Sequence, residues 1–210
     1  SYAKKVRIGN VYRTESPKPY AEVTLYSAAD APIDITGWKI KSVQKVETII
    51  GEGINLPQFD GAPSDIWLRS GDRVDITVGL SPLAVNFRAN KCFDWLSNIY
   101  GLGYSLNYCP GGFKMNELEG LDSACQDLIL RAAPCRTLSE NELNKQSGNC
   151  RLWAEKNMNY NACVANHIDD GDFYKEWKLY TGNGNKIFDP LHDIIKLLDQ
   201  NGVLIDSYEY

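Results

Sequence analysis

The chain has 210 residues, a formal net charge of −5 and an apolar content ordinary for a globular protein. An acidic balance without a basic stripe excludes a nucleic-acid surface, which neutralises phosphates with clustered Lys and Arg. No apolar run approaches the roughly 20 residues that a membrane-spanning helix needs, so no transmembrane segment is read in the chain.

In chain order, SYAKKVRIGN lacks Met and an apolar segment and reads as a mature or trimmed end. VRIGNVYR puts Val6 and Ile8 on one face of a strand. AEVTLYS alternates, with Ala21, Val23 and Leu25 facing one way and Glu22, Thr24 and Tyr26 the other, as in a half-buried strand. SAADAPID supplies a turn at Pro32, and DITGWKIKSV resumes with Trp38 and Ile40 against Lys39 and Lys41. Trp38 belongs in the core by this pattern; Trp67, after a loop rich in Gly and Pro, fits core or surface. RSGDRVDITVG turns at Ser70-Gly71-Asp72 and then sets Val74, Ile76 and Val78 on one side.

Residues 91–176 change character. NELEGLDSACQDLILRAAP places Leu118, Leu121, Cys125, Leu128 and Ala132 at helical spacing, and Pro134 stops that helix. Ser139 and Glu142 form a capping box for another. NYNACVANH spaces Tyr160, Cys163 and His167 about one turn apart. Strand patterning returns in the tail, with Ile195 and Leu197 on one face, a turn at Asp199-Gln200-Asn201-Gly202, and Val203 and Ile205 on the returning strand.

The six cysteines, Cys92, Cys109, Cys125, Cys135, Cys150 and Cys163, all fall in that helical middle and include no C-x-x-C pair. Disulfides fit this pattern better than zinc, and disulfides imply an extracytoplasmic place of work, secreted or at the cell surface. Spacing favours Cys92–Cys109, Cys125–Cys163 and Cys135–Cys150 among the many connectivities six cysteines allow. Short helices are marginal alone, so an insertion of this kind gains from cross-links.

Three segments carry a family resemblance. AEVTLYSAADAPIDITGWKIKS resembles the lamin tail domain signature, a strand and turn followed by a Leu/Ile-Thr-Gly-Trp strand. RSGDRVDITVG and WKLYTGNGNKIFDPLHDIIKLLDQNGVLIDSYEY resemble that domain's later segments, in the same order. The resemblance covers about residues 5–90 and 177–210 and is closest to bacterial lamin-tail proteins. It implies an immunoglobulin-like β-sandwich, residues 1–90 with 177–210, interrupted by a helical six-cysteine insertion, residues 91–176. It also implies an interaction or attachment role.

Candidate sites are few. HIDDGD offers Asp169, Asp170 and Asp172 within four positions, a possible Ca²⁺ loop that Asn183, Asn185 and Asp189 would extend. The alternative is a solvated turn in which Asp172 caps a helix starting at Phe173. Tyr100, Tyr104 and Tyr108, on a loop with Gly101 and Gly103, suit a sugar face or a protein partner, or else cover the insertion. No catalytic motif accompanies His167 or His192. The leading expectation is a non-catalytic extracytoplasmic binding or adhesion module for a protein or glycan at a cell surface, needing no cofactor, with specificity in the insertion. A secreted hydrolase with a metal-assisted site near His167 and a structural surface-layer or filament subunit are the alternatives.

Overall fold

A computed structural model describes residues 2–14, 20–43, 47–101, 106–182, 188–189 and 191–210. The chain divides into two compact units, one formed by Ser1–Ala89 with Lys175–Tyr210 and the other by Asn90–Tyr174.

The first unit is built from strands. They are β1 (Val6–Thr14), β2 (Tyr20–Ser27), β3 (Ile33–Asp34), β4 (Lys39–Ser42), β5 (Glu47–Ile49), β6 (Gly53–Asn55), β7 (Trp67–Leu68), β8 (Arg73–Thr77) and β9 (Asn86–Asn90), followed late in the chain by β10 (Tyr174–Tyr180), β11 (Ile194–Leu198) and β12 (Leu204–Glu209). One sheet has six strands in the order β1-β2-β8-β10-β9-β6, another has four in the order β12-β11-β4-β5, and β3 pairs with β7. β1, β2 and β8 run antiparallel in sequence, whereas β10 lies parallel to β8 and β6 parallel to β9. Parallel neighbours require long crossovers, and the link between β8 and β10 contains the whole second unit. At Gly53 a side chain would strike the Trp177 ring at 2.8 Å and the Asn86 carbonyl at 3.0 Å, so this strand can lie beside β9 only without a Cβ.

Alternation places the core. Val23 and Leu25 of β2, Val74 and Ile76 of β8, Leu179 of β10, Ile40 of β4, and Ile195 and Leu197 of β11 join one buried cluster around Trp38. Both larger sheets contribute to that cluster, so the unit is a two-layer β body with a common core. Trp67 is exposed in β7, and Val203 is exposed just before β12, leaving Ile205 as the buried residue of that strand. Gly202, at φ +82°, makes the β11–β12 turn.

The opposite face of the six-stranded sheet is not simply polar and wet. Asp75 is fully buried there and accepts hydrogen bonds from Lys178 Nζ (2.7 Å), Arg73 Nε (2.8 Å) and Thr24 Oγ1 (3.1 Å). Burial alone would lower the Lys178 pKa, but the charge and hydrogen bond of Asp75, aided by Glu176, raise it above its ordinary value. Thr24, expected on a solvent face, is buried by this network.

The second unit is helical: α1 (Phe93–Tyr100), α2 (Ser123–Arg131), α3 (Glu140–Leu143), α4 (Gly148–Asn157) and α5 (Tyr160–His167), with a 3-10 turn at Met115–Leu118. The helical pattern beginning near Leu118 is broken by Gly120 at φ +85°, so α2 starts only at Ser123, capped by Asp122. Ser139 and Glu142 form the expected capping box, and Arg136 grips both Glu142 oxygens at 2.8 and 2.9 Å. That Arg136 pairing, with the Ser139 backbone bond, pulls the Glu142 pKa down to about 2. Asp172 caps no helix, because Tyr174 already begins β10. No described helix is long and apolar enough to cross a membrane.

All six cysteines are paired, as Cys92–Cys163, Cys109–Cys135 and Cys125–Cys150. This corrects the connectivity expected from spacing. Helix placement accounts for two of the three pairs. Cys92 immediately precedes α1, and Cys163 lies on α5, which contacts α1. Asp122 and Ser147 cap α2 and α4, each accepting from the backbone N–H of a cysteine three residues on, Cys125 and Cys150. Ser147 Oγ donates to Asp122 Oδ2 at 2.7 Å, so the two helix starts sit together and their cysteines bond. Cross-links of this kind persist in oxidising compartments outside the cytoplasm.

Candidate functional site

The helical unit encloses a cavity of about 440 Å³, within the roughly 300–1,000 Å³ typical of small-molecule sites. Its wall comes from several short segments, because each small helix supplies only one or two residues. Trp95 projects from the first turn of α1, Phe113 from the segment after Cys109, Ile129 from the end of α2, and Met158 from the C-cap of α4. Cys135 and Cys163, from two different disulfides, complete this part of the wall. Trp95, Ile129, Cys135, Met158 and Cys163 are all buried, so the floor is apolar and rich in sulfur. Lys114, Asn116, Glu117 and Asn166 are exposed and form a polar rim, beside half-buried Asn157 and His167.

Local hydrogen bonds hold this wall. Asn98 Nδ2 donates to the Cys135 carbonyl at 2.7 Å and fixes the Cys135 turn, where φ is +54°, against α1. Phe113 stacks edge-on to Trp153 with ring centroids 5.0 Å apart. Glu117 Oε2 accepts from the Lys114 backbone N–H at 2.7 Å, which commits that carboxylate to the start of the 3-10 turn. Asn157 Nδ2 donates to the Trp153 carbonyl at 2.8 Å, leaving its Oδ1 as an acceptor.

His167 Nδ1 lies 2.9 Å from Asp170 Oδ2. An ionised Asp170 accepts a hydrogen bond from Nδ1–H and leaves Nε2 as a lone-pair acceptor for a donor on a ligand or water. Lys91 Nζ donates to Asp170 at 2.8 Å and also to Asp172. The Lys91 bond, then the His167 bond, hold the Asp170 pKa below its ordinary value, while Asp170 and Asp172 raise that of Lys91. The acidic turn is therefore an ion-pair network around an ammonium group, and Asp169 is exposed beside it. Among the described residues no group of three His, Cys, Asp or Glu side chains is arranged to hold a metal ion. Asn183 and Asn185 lie outside the described residues. Asp189 accepts from the Leu191 N–H instead, at 2.9 Å.

Neither Tyr100 nor Tyr108 lines the cavity. Tyr100 is 65% exposed at the end of α1, Tyr108 is half-buried, and Tyr104 lies outside the described residues. The cavity wall begins just beyond, at Pro110-Gly111-Gly112-Phe113, a run whose Pro, paired Gly and aromatic residue were the available signal. His192 is exposed, its Nδ1 2.7 Å from the Tyr210 carbonyl, and no described nucleophile is bonded to it. No protein-family model matches the chain, and no curated protein matches it.

Proposed function

We propose that this chain is a non-catalytic extracytoplasmic binding module: a lamin-tail-like, immunoglobulin-like β-sandwich whose disulfide-stapled helical insertion carries recognition. The supporting observation is the cavity whose described lining residues all belong to the helical unit, with a buried apolar floor and an exposed polar rim. Sites grafted on insertions between scaffold strands are held rigid by the scaffold and vary without disturbing its core. Three disulfides favour work outside the cytoplasm, secreted or at a cell surface. Binding of the chain to whole cells is expected to fall in Ala133→Trp, which adds a large ring at an exposed residue of the cavity wall, with little change in melting temperature. Equal binding by that variant overturns the assignment of recognition to the cavity, and retention that is lost instead in Tyr100→Ala moves it to the tyrosine loop.

The scaffold reading has its own test. The core cluster contains no residue of Asn90–Tyr174. Replacing residues 91–173 by a short Gly/Ser linker should therefore leave a β protein that unfolds cooperatively in urea, and a non-cooperative melt overturns the reading.

A second reading, a hydrolase, is favoured by His167 in the cavity wall, held by Asp170 behind it. The described wall holds no Ser, Thr or free Cys, so that chemistry would have to use water with His167 as its base.

A further inference from the structure

We infer that the cavity takes an aromatic carboxylate: a planar apolar ring seated on the floor with its anionic group at the rim beside Lys114 and Asn166. The inference rests on the binding-module reading and names its ligand class.

The floor selects the ring. Trp95 and Phe113 offer aromatic surfaces, and rings prefer offset or edge-on ring partners. Met158, Cys135 and Cys163 bring sulfur to the same wall, and polarisable sulfur makes favourable contacts with ring edges. A polyhydroxylated ligand would leave its hydroxyls unpaired against these buried apolar groups, a cost that an apolar ring avoids.

The rim selects a single negative charge. Lys114 forms no ion pair among the described residues, and its neighbour Glu117 is already engaged by a backbone N–H. His167 has its Nδ1–H tied to Asp170, so its Nε2 is an acceptor and adds no donor for the anion. Asn166, also without a side-chain hydrogen bond among the described residues, adds a neutral amide donor. One ammonium and one neutral amide donor suit a carboxylate. A phosphate dianion calls for a fork of Arg donors or several cations, and the Glu117 carboxylate would repel it. Gly111 and Gly112 keep the approach open, because a side chain at either would meet no atom within 4 Å.

The test uses the full chain with its disulfides intact and follows the Trp95 indole and Met158 methyl resonances while titrating three probes. These are 3-phenylpropionate, its neutral amide 3-phenylpropanamide, and a tripeptide ending in Phe with a free carboxylate. The acid is expected to shift both resonances and to bind about tenfold more tightly than the amide, the usual worth of one charge-assisted contact. Lys114→Met should erase that tenfold difference without weakening the amide, and Ala133→Trp should abolish binding of both. A tripeptide that binds as tightly as the acid assigns the ligand to a chain end, and one that binds more weakly assigns it to a free acid; both support the class. Equal affinity for acid and amide in the wild-type chain overturns the carboxylate assignment while leaving a binding cavity. Absence of any shift at Trp95 and Met158 with all three probes overturns the cavity as a binding site too.

Discussion

Asp75→Ala is expected to cost the β unit about 3 kcal/mol, near the lower end of what breaking a buried ion pair costs. Asp75 has no exposure and Lys178 has a side chain only 11% exposed, so the substitution leaves an ammonium in the sheet with Glu176 at 3.2 Å as its one remaining carboxylate. Arg73 loses the same partner at less expense, because its side chain is 41% exposed and can turn to water. Adding Lys178→Met should recover part of the loss by removing the stranded charge. The pH dependence follows from the raised Lys178 pKa. A basic group whose folded pKa lies above its unfolded value contributes stability that is full below the unfolded pKa, about 10.4, and is lost as pH rises through the folded one. The wild-type chain should therefore lose stability above the ordinary lysine range, and Asp75→Ala should lose much less there. Urea melts across that range, with hydrogen exchange at β8 and β10 amides, measure both effects. A cost below about 1 kcal/mol, the worth of an exposed pair, or the same alkaline loss in both proteins, would show the network to be incidental.

Asp75 also marks the limit of what alternation can tell. The period-2 pattern assigns Val74 and Ile76 to one face and Asp75 to the other, and the strands β2, β8 and β11 follow from such patterns because Val23, Leu25, Ile195 and Leu197 are all buried. The pattern says which face a residue takes, not what lies over that face. Thr24 and Asp75 are buried by side chains from neighbouring strands, and paired residues of β8 and β10 such as Asp75 and Lys178 are 103 residues apart in the chain. The start of α2 is misjudged for a local reason. Leu118 sits at helical spacing from Cys125, but Gly120 adopts a left-handed conformation between them. Disulfide pairing is settled by which helix ends meet. The readable trace was a repeated motif, Asp122 or Ser147 followed three residues later by cysteine, which marks two capped helix starts with equivalent thiols. The cavity left only a short trace, the Pro110-Gly111-Gly112-Phe113 run. Its wall is drawn from separated segments between Trp95 and His167, and only the fold brings them together. His167 stands out in the sequence for its neighbouring aspartates, while Trp95, Lys114 and Asn166 carry no local mark.

Removing the Cys92–Cys163 bridge, as Cys92→Ala with Cys163→Ala, should destabilise the helical unit more than removing either other disulfide. The bridge spans 71 residues against 26 and 25 for the others. On the chain-entropy account that separation is worth about 4 kcal/mol, against about 3.5 for the shorter loops. Position enlarges the difference. Cys92 and Cys163 join α1 to α5 where the segment closes on itself, beside the Lys91 N–H bond to the Phe173 carbonyl and the Lys91 pairs with Asp170 and Asp172. Those remaining contacts are exposed or few, and an exposed ion pair contributes roughly 0–1 kcal/mol, so they cannot replace the bridge. Cys125–Cys150 instead reinforces two helix starts already joined by the Ser147–Asp122 hydrogen bond, and its loss should loosen α2 and α4 locally. Hydrogen exchange separates these outcomes. Loss of Cys92–Cys163 should raise exchange throughout α1 and α5 while leaving β2 and β8 slow, since their core contains no residue of the helical unit. Cys163 also lines the cavity floor, so the same variant should lose its response to 3-phenylpropionate at Trp95. Faster exchange in β2 and β8 to the same degree would mean that the two units fold as one, and a smaller effect than for Cys125–Cys150 would mean that the capped helix starts, rather than the α1–α5 closure, hold the cavity in shape.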